Sequence, residues 1–140
     1  MEANHGLELL RRLQLFRPPD GMWANLGMRL IEAGPGTAAI EGRFSQLEHG
    51  RAEAIHRGGV AAMADGALAC AAATLVDEGE VATTVELLVD FFEPARPGNV
   101  VARGRVVHRS GHLVYCAATV EQDEAVVADA HATVALVRPA

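Results

Sequence analysis

His56, Arg57, Gly58, Gly59 and Asp65 stand in a run, HRGGVAAMADGALACAAATLV over residues 56–76, whose side chains after Arg57 are otherwise apolar or small. A helix that is apolar on every side belongs in a core or a membrane. An unpaired ionised carboxylate is costly to bury, so Asp65 in such a helix asks for a reason. The helix start offers complementary chemistry. Its first N–H groups have no partner inside the helix and carry the positive end of the dipole, so residues 57–59 can donate to a carbonyl oxygen or an oxyanion. Gly58 and Gly59 would let a ligand approach that backbone closely. Asp65 lies about two turns further on, where a twofold partner could bring its copy to the helix start of the other subunit, as nucleophile or general base. A plain core helix whose Asp is paired with an Arg is the structural alternative. A membrane span fits the length but not the weakly hydrophobic Ala and Gly, nor a central Asp.

Other elements must hold this helix. Residues 5–16 place Leu7, Leu10 and Leu13 at helical spacing and stop at Pro18 and Pro19. Residues 26–33 alternate as a first strand, Gly34, Pro35 and Gly36 signal a hairpin, and residues 37–44 return as a second strand. Residues 45–55 read as a polar loop leading to His56. After residue 80 the period becomes two: Val85, Leu87, Val89 and Phe91 face one way and Thr84, Glu86, Leu88 and Asp90 the other. Three long strands follow at 100–109, 113–122 and 126–137, joined at Ser110-Gly111 and Asp123-Glu124 as a meander. Arg103 and Arg105 are expected on one face with Glu121, Asp129, His131 and Thr133. The pattern predicts an α+β chain, a curved antiparallel six-stranded sheet wrapped around a long central helix over about 58–76, with a short N-terminal helix. Residues 1–22 form the lead-in and 23–138 the single domain. Exposed sheet edges are expected to pair between copies.

Composition closes several routes. A formal charge of −6 with 4% aromatic residues argues against a nucleic-acid partner. All 12 basic residues are Arg, which removes Schiff-base chemistry and the P-loop lysine. Ser45 and Ser110 are the only serines and there is no G-x-S-x-G, so a serine hydrolase fails. His108 and His112 straddle a turn without a third ligand, and no metal or cofactor is expected. Cys70 and Cys116 sit among apolar neighbours as expected free thiols, which suits a reducing compartment, and no signal-peptide pattern precedes them; the cytoplasm is expected.

The spacing of nine from His56 to Asp65, the strand Thr84-Val85-Glu86-Leu87 running into Asp90-Phe91-Phe92-Glu93-Pro94-Ala95, and the segment Val106-Val107-His108-Arg109-Ser110-Gly111 resemble the PaaI-like acyl-CoA thioesterases of the hotdog superfamily. The likeness covers about residues 23–137. It implies a hotdog fold, a homodimer or dimer of dimers, and hydrolysis of a small, medium-chain or aromatic acyl-CoA. Asp65 would be general base or nucleophile, and the N–H at position 57 the donor that polarises the thioester carbonyl. His56 would help place that carbonyl and Thr84 the attacking water. Arg109, Ser110 and Gly111 could hold a phosphate of coenzyme A. Arg57 departs from the family's Gly, and Gly50, beside His49, departs from its usual Asn six residues before the His. A thiol of pKa near 8.5 leaves without much help, so one base and one oxyanion donor suffice. The alternative is a non-catalytic hotdog module binding an acyl thioester or another apolar ligand, with Arg57 filling the carbonyl site. No motif of a hotdog hydratase or dehydratase is present.

Overall fold

The computed structural model describes residues 4–15, 21–44 and 54–140. Among the described residues three helices, α1 (His5–Leu15), α2 (Gly21–Asn25) and α3 (Arg57–Ala73), accompany six strands. These are β1 (Arg29–Gly34), β2 (Thr37–Phe44), β3 (Val81–Phe91), β4 (Gly98–Ser110), β5 (Leu113–Gln122) and β6 (Ala125–Val137). They form one antiparallel sheet in the order β1-β2-β4-β5-β6-β3. The expected meander is β4, β5 and β6, turned at Gly111 and at Asp123-Glu124. Both turn residues of the latter are left-handed, with φ of 52° and 66°, as a two-residue hairpin turn requires. No helix among the described residues is long and apolar enough to cross a membrane.

The sheet wraps α3. Val60, Met63, Ala64, Ala67, Leu68, Ala71 and Ala72 of the helix are buried against Ile40, Val100, Val114, Val120, Val134 and Leu136 of the strands. Small side chains permit a backbone-close approach. A Cβ added at Gly104 of β4 would collide with the Ala67 carbonyl, and one at Gly42 of β2 with the Met63 sulfur. Leu10 of α1 belongs to the same core, with Leu13 and Trp23 packed against it.

Sequence reading and structure part at three places. First, α3 ends at Ala73 rather than near residue 76. The N–H groups of Thr74, Leu75 and Val76 bond three residues back, and the buried Thr74 hydroxyl bonds Ala71 O while accepting from Gly36 N. Second, residues 26–28 are not strand. α2 closes in a left-handed Gly27 (φ 59°), with Gly27 N bonded to Ala24 O and Met28 N to Trp23 O, and this helix stop delays β1 to Arg29. A boundary between residues 22 and 23 thus falls inside α2. Third, β3 does not alternate evenly. Thr84 opposes Val134 and Glu86 opposes Thr133, leaving Val85 as the extra residue of a β-bulge. Thr84 therefore shares the helix-facing side with Leu87, Val89 and Phe91, which oppose Ala132, Ala130 and Ala128, instead of standing opposite them. The loop expected over 45–55 lies, through residue 53, outside the described residues. The outer face is as read: Arg103 pairs with Glu121 and Glu32, in register with Thr119 and Asp129.

Since neither the Ala67 peptide nor the sheet can give way, Gly104→Ala is expected to cost about 3 kcal/mol and to lower the thermal midpoint by ~10 °C, measured by circular dichroism.

Candidate active site

α3 begins at an unusual cap. His56 (φ −57°, ψ 132°) is the N-cap residue, and its Nδ1 accepts from Gly58 N at 2.9 Å. A nitrogen that accepts carries no proton, which leaves Nε2 to hold the ring's N–H as a donor. Gly59 N bonds His56 O at 2.9 Å. The donors foreseen across 57–59 are therefore reduced: Gly58 and Gly59 spend their N–H groups locally, and among the described residues nothing accepts from Arg57 N. The two glycines serve packing more than ligand approach. A Cβ at Gly58 would press on the His56 ring, and one at Gly59 would lie 2.8 Å from Phe44 Cε1. The Arg57 guanidinium carbon stands 5.8 Å from the Phe91 ring centre, so this side chain leans to the end of β3. His56, Arg57, Phe91 and Pro94 line a cleft of about 550 Å³.

Asp65 is half-buried on the flank of α3, and Thr84 Oγ1 donates to its Oδ1 at 2.7 Å. The bulge at Val85 makes this bond possible by turning Thr84 toward the helix. Among the described residues no Arg or His forms an ion pair with Asp65; the pairs are Arg29 with Glu41, Arg96 with Asp123, and Arg103 with Glu32 and Glu121. Among the described residues, then, Asp65 forms no Asp–Arg core pair. One Asp65 face opens on an apolar groove of about 450 Å³ whose walls include Leu9, Leu13 and Trp23. Neither the groove nor its walls were legible in the sequence, because α1 and α2 reach Asp65 only through the fold.

The predicted site residues fall into three groups. Asp65 and Thr84 meet, and His56, Arg57, Gly58 and Gly59 meet, but the groups are separate. From position 57 to position 65 the helix rises about 12 Å. Arg109, Ser110 and Gly111 form the third group at the β4–β5 turn, where Arg109 Nε donates to Gly111 O at 3.0 Å. That turn adjoins the end of β6, through Leu136 N bonded to His112 O, at the opposite end of the sheet from His56. His108 stacks on Tyr115, with ring centres 6.2 Å apart. Gly50 lies outside the described residues.

The model of the thioesterase superfamily matches residues 44–128. The chain belongs to that superfamily. It is a hotdog-fold thioesterase, an enzyme that hydrolyses thioesters. A single-residue variant of the phenylacetic acid degradation protein PaaI from Thermus thermophilus is 26% identical to it, with a TM-score of 0.75 over 82% of this chain and 97% of the other. A phenylacetic acid degradation-related protein of Ralstonia eutropha superposes with a TM-score of 0.82 at 22% identity, over 91% and 98%. A thioesterase family protein of Silicibacter pomeroyi gives 0.80 at 24%, over 96% of each chain. At these identities the last two speak to the fold alone. A search of curated protein sequences finds no match.

Two thiols of this thioesterase are buried and free. Burial, then the charge of Asp65, pushes the Cys70 thiol up to about 12, and burial pushes Cys116 up to about 11. Both should stay silent to an aromatic disulfide reagent at pH 8 and react once urea unfolds the chain. Because the unfolded thiols ionise near pH 8.5 and the folded ones do not, their stabilising contribution is full below that pH and is lost as pH rises toward 11 and 12. The urea midpoint should therefore be lower at pH 10.5 than at pH 8, with a smaller difference in Cys70→Ala. At the carboxylate, Thr84→Val removes a charge-assisted hydrogen bond and should lower kcat about 10- to 100-fold, with Thr84→Ser restoring most of it, measured by thiol release.

Proposed function

We propose that the protein is a cytoplasmic acyl-CoA thioesterase working as a homodimer, with Asp65 as the general base on water. The observation that carries this reading is the Asp65 carboxylate itself: half-buried on the core helix, free of any cation among the described residues, and held at one oxygen by Thr84. Its other oxygen is left to take a proton. Water attacks the thioester carbonyl as Asp65 removes that proton. The tetrahedral oxyanion is met by the Arg57 N–H and by His56 Nε2–H, and its collapse expels the thiolate, which recovers the proton. Buried free thiols suit a reducing compartment.

The separation of about 12 Å along α3 favours a dimer, because a carbonyl carbon must lie within bonding reach of the water while its oxygen touches the donor. One chain cannot satisfy both. β3 is an edge strand of the sheet; Val85 is 64% exposed along it and Phe92, just past its end, 56%, and this is the edge a second copy would cover. Antiparallel pairing of two β3 strands about a twofold axis sets the Val81 end of one beside the Phe91 end of the other. The second copy's helix start would then approach Asp65. The Arg109–Gly111 turn, at the Val81 end, would approach the foreign helix start, where it could hold a phosphate of coenzyme A.

Thiol release from short, medium and aromatic acyl-CoA esters tests the reading. Asp65→Asn should fold normally and lose about 10²- to 10⁴-fold in kcat. Turnover within tenfold of wild type would remove Asp65 from the chemistry, and a monomer in size exclusion at micromolar concentration would remove the composite site.

A further inference from the structure

The groove beside Asp65 runs lengthwise along α3. Ala62, Gly66, Ala69 and Ala73 recur every three or four residues and form its floor, while Leu9 and Leu13 of α1 and Trp23 of α2 stand over it. Near the carboxylate the channel is narrow: a Cβ on Gly66 would lie 3.0 Å from Met28 Cε and 3.5 Å from Trp23 Cζ2. From Asp65 to Ala73 the floor extends about 12 Å. Beyond it stand Val76, Val81 and Glu80, whose Oε1 accepts from Asp77 N at 2.8 Å.

We propose that this groove takes the acyl chain, and that the substrate is a neutral, unbranched acyl thioester of medium length whose width is limited by α1 and α2 and whose length is limited by Val76, Glu80 and Val81. The proposal rests on the reading of Asp65 as the base. With the scissile carbonyl at Asp65, the acyl group must leave in some direction, and the groove is the apolar route that Asp65 itself lines. Its volume of about 450 Å³ lies in the range of small-molecule sites, about 300–1,000 Å³. Its form favours a chain. An aromatic ring would occupy the part nearest the carboxylate and leave the remaining floor of Ala69 and Ala73 uncovered, whereas an extended alkyl chain covers all of it. Every methylene that stays inside should raise kcat/KM about fourfold. The Glu80 carboxylate at the far end repels an acyl group that ends in a second carboxylate.

The test is a chain-length profile of kcat/KM from acetyl- to hexadecanoyl-CoA, with phenylacetyl-CoA beside it, for wild type, Ala69→Phe and Leu9→Trp. Ala69→Phe blocks the floor; Leu9→Trp narrows the channel from an exposed position of α1 that burdens folding little. Wild type should rise to a maximum at medium chains, and each variant should lower the ratio of decanoyl- to butyryl-CoA kcat/KM at least tenfold. A flat wild-type profile, a maximum at phenylacetyl-CoA, or an unchanged ratio in folded Leu9→Trp would overturn the groove while leaving the thioesterase reading intact. Calorimetric titration of Asp65→Asn with the same esters separates the other failure. Chain-length-dependent binding that Leu9→Trp abolishes, without turnover in wild type, would keep the groove as the acyl site and end the hydrolytic reading.

Discussion

A sheet can close on a helix only as tightly as the side chains between them allow, and in this protein glycines stand at the tightest points of that contact. Gly104 meets the Ala67 peptide, Gly42 meets Met63, and Gly59 meets Phe44. Glycine is needed at these points, since a Cβ at Gly104 would have to displace the Ala67 peptide, and one at Gly42 or Gly59 the packed Met63 or Phe44 side chain. The site follows as well. A helix seated so deeply has one flank left over, and on that flank stand Asp65 and the small residues of the groove floor.

The same rigidity fixes the distance between acid and donor. Position 57 and Asp65 lie on one helix, so no side-chain rotation brings the helix start to the carboxylate. In the proposed mechanism a second copy supplies what one chain cannot. In this view the exposed apolar edge of β3 and the chemistry are two consequences of one arrangement: the strand that orients Asp65 through Thr84 also offers the edge on which another copy would pair. A structural carboxylate would be expected to meet an Arg. Asp65 meets a neutral hydroxyl, which orients a carboxylate without cancelling its charge.

The two halves of the proposed oxyanion donor differ in how directly the fold makes them. The Arg57 N–H is available because α3 begins there, while His56 is available at Nε2 because its Nδ1 is spent on Gly58. Glycine at position 58 leaves room for that ring, and glycine at 59 leaves room for Phe44. The Gly-Gly pair is thus explained by the cap and by helix-to-sheet packing, with the exposed donor a result of both.

The sequence by itself determined the buried helix, the strand periods, the hairpin turns and the spacing of His56 from Asp65, because these are local properties of 3.6- and 2-residue repeats and of turn chemistry. It also singled out Asp65, since a charge in an apolar helix is visible without any fold. Three matters belonged to tertiary structure alone. The bulge at Val85 has no residue signature; it arises where β3 is matched against β6, and it moves Thr84 from the outer face to the helix. The edge position of β3 comes from its pairing with β6 instead of its neighbour β4, a long-range choice that local pattern does not encode. The groove exists because α1 and α2, remote from Asp65 in the chain, come to rest over the small residues of α3, and a cavity is a property of what the elements leave unfilled between them.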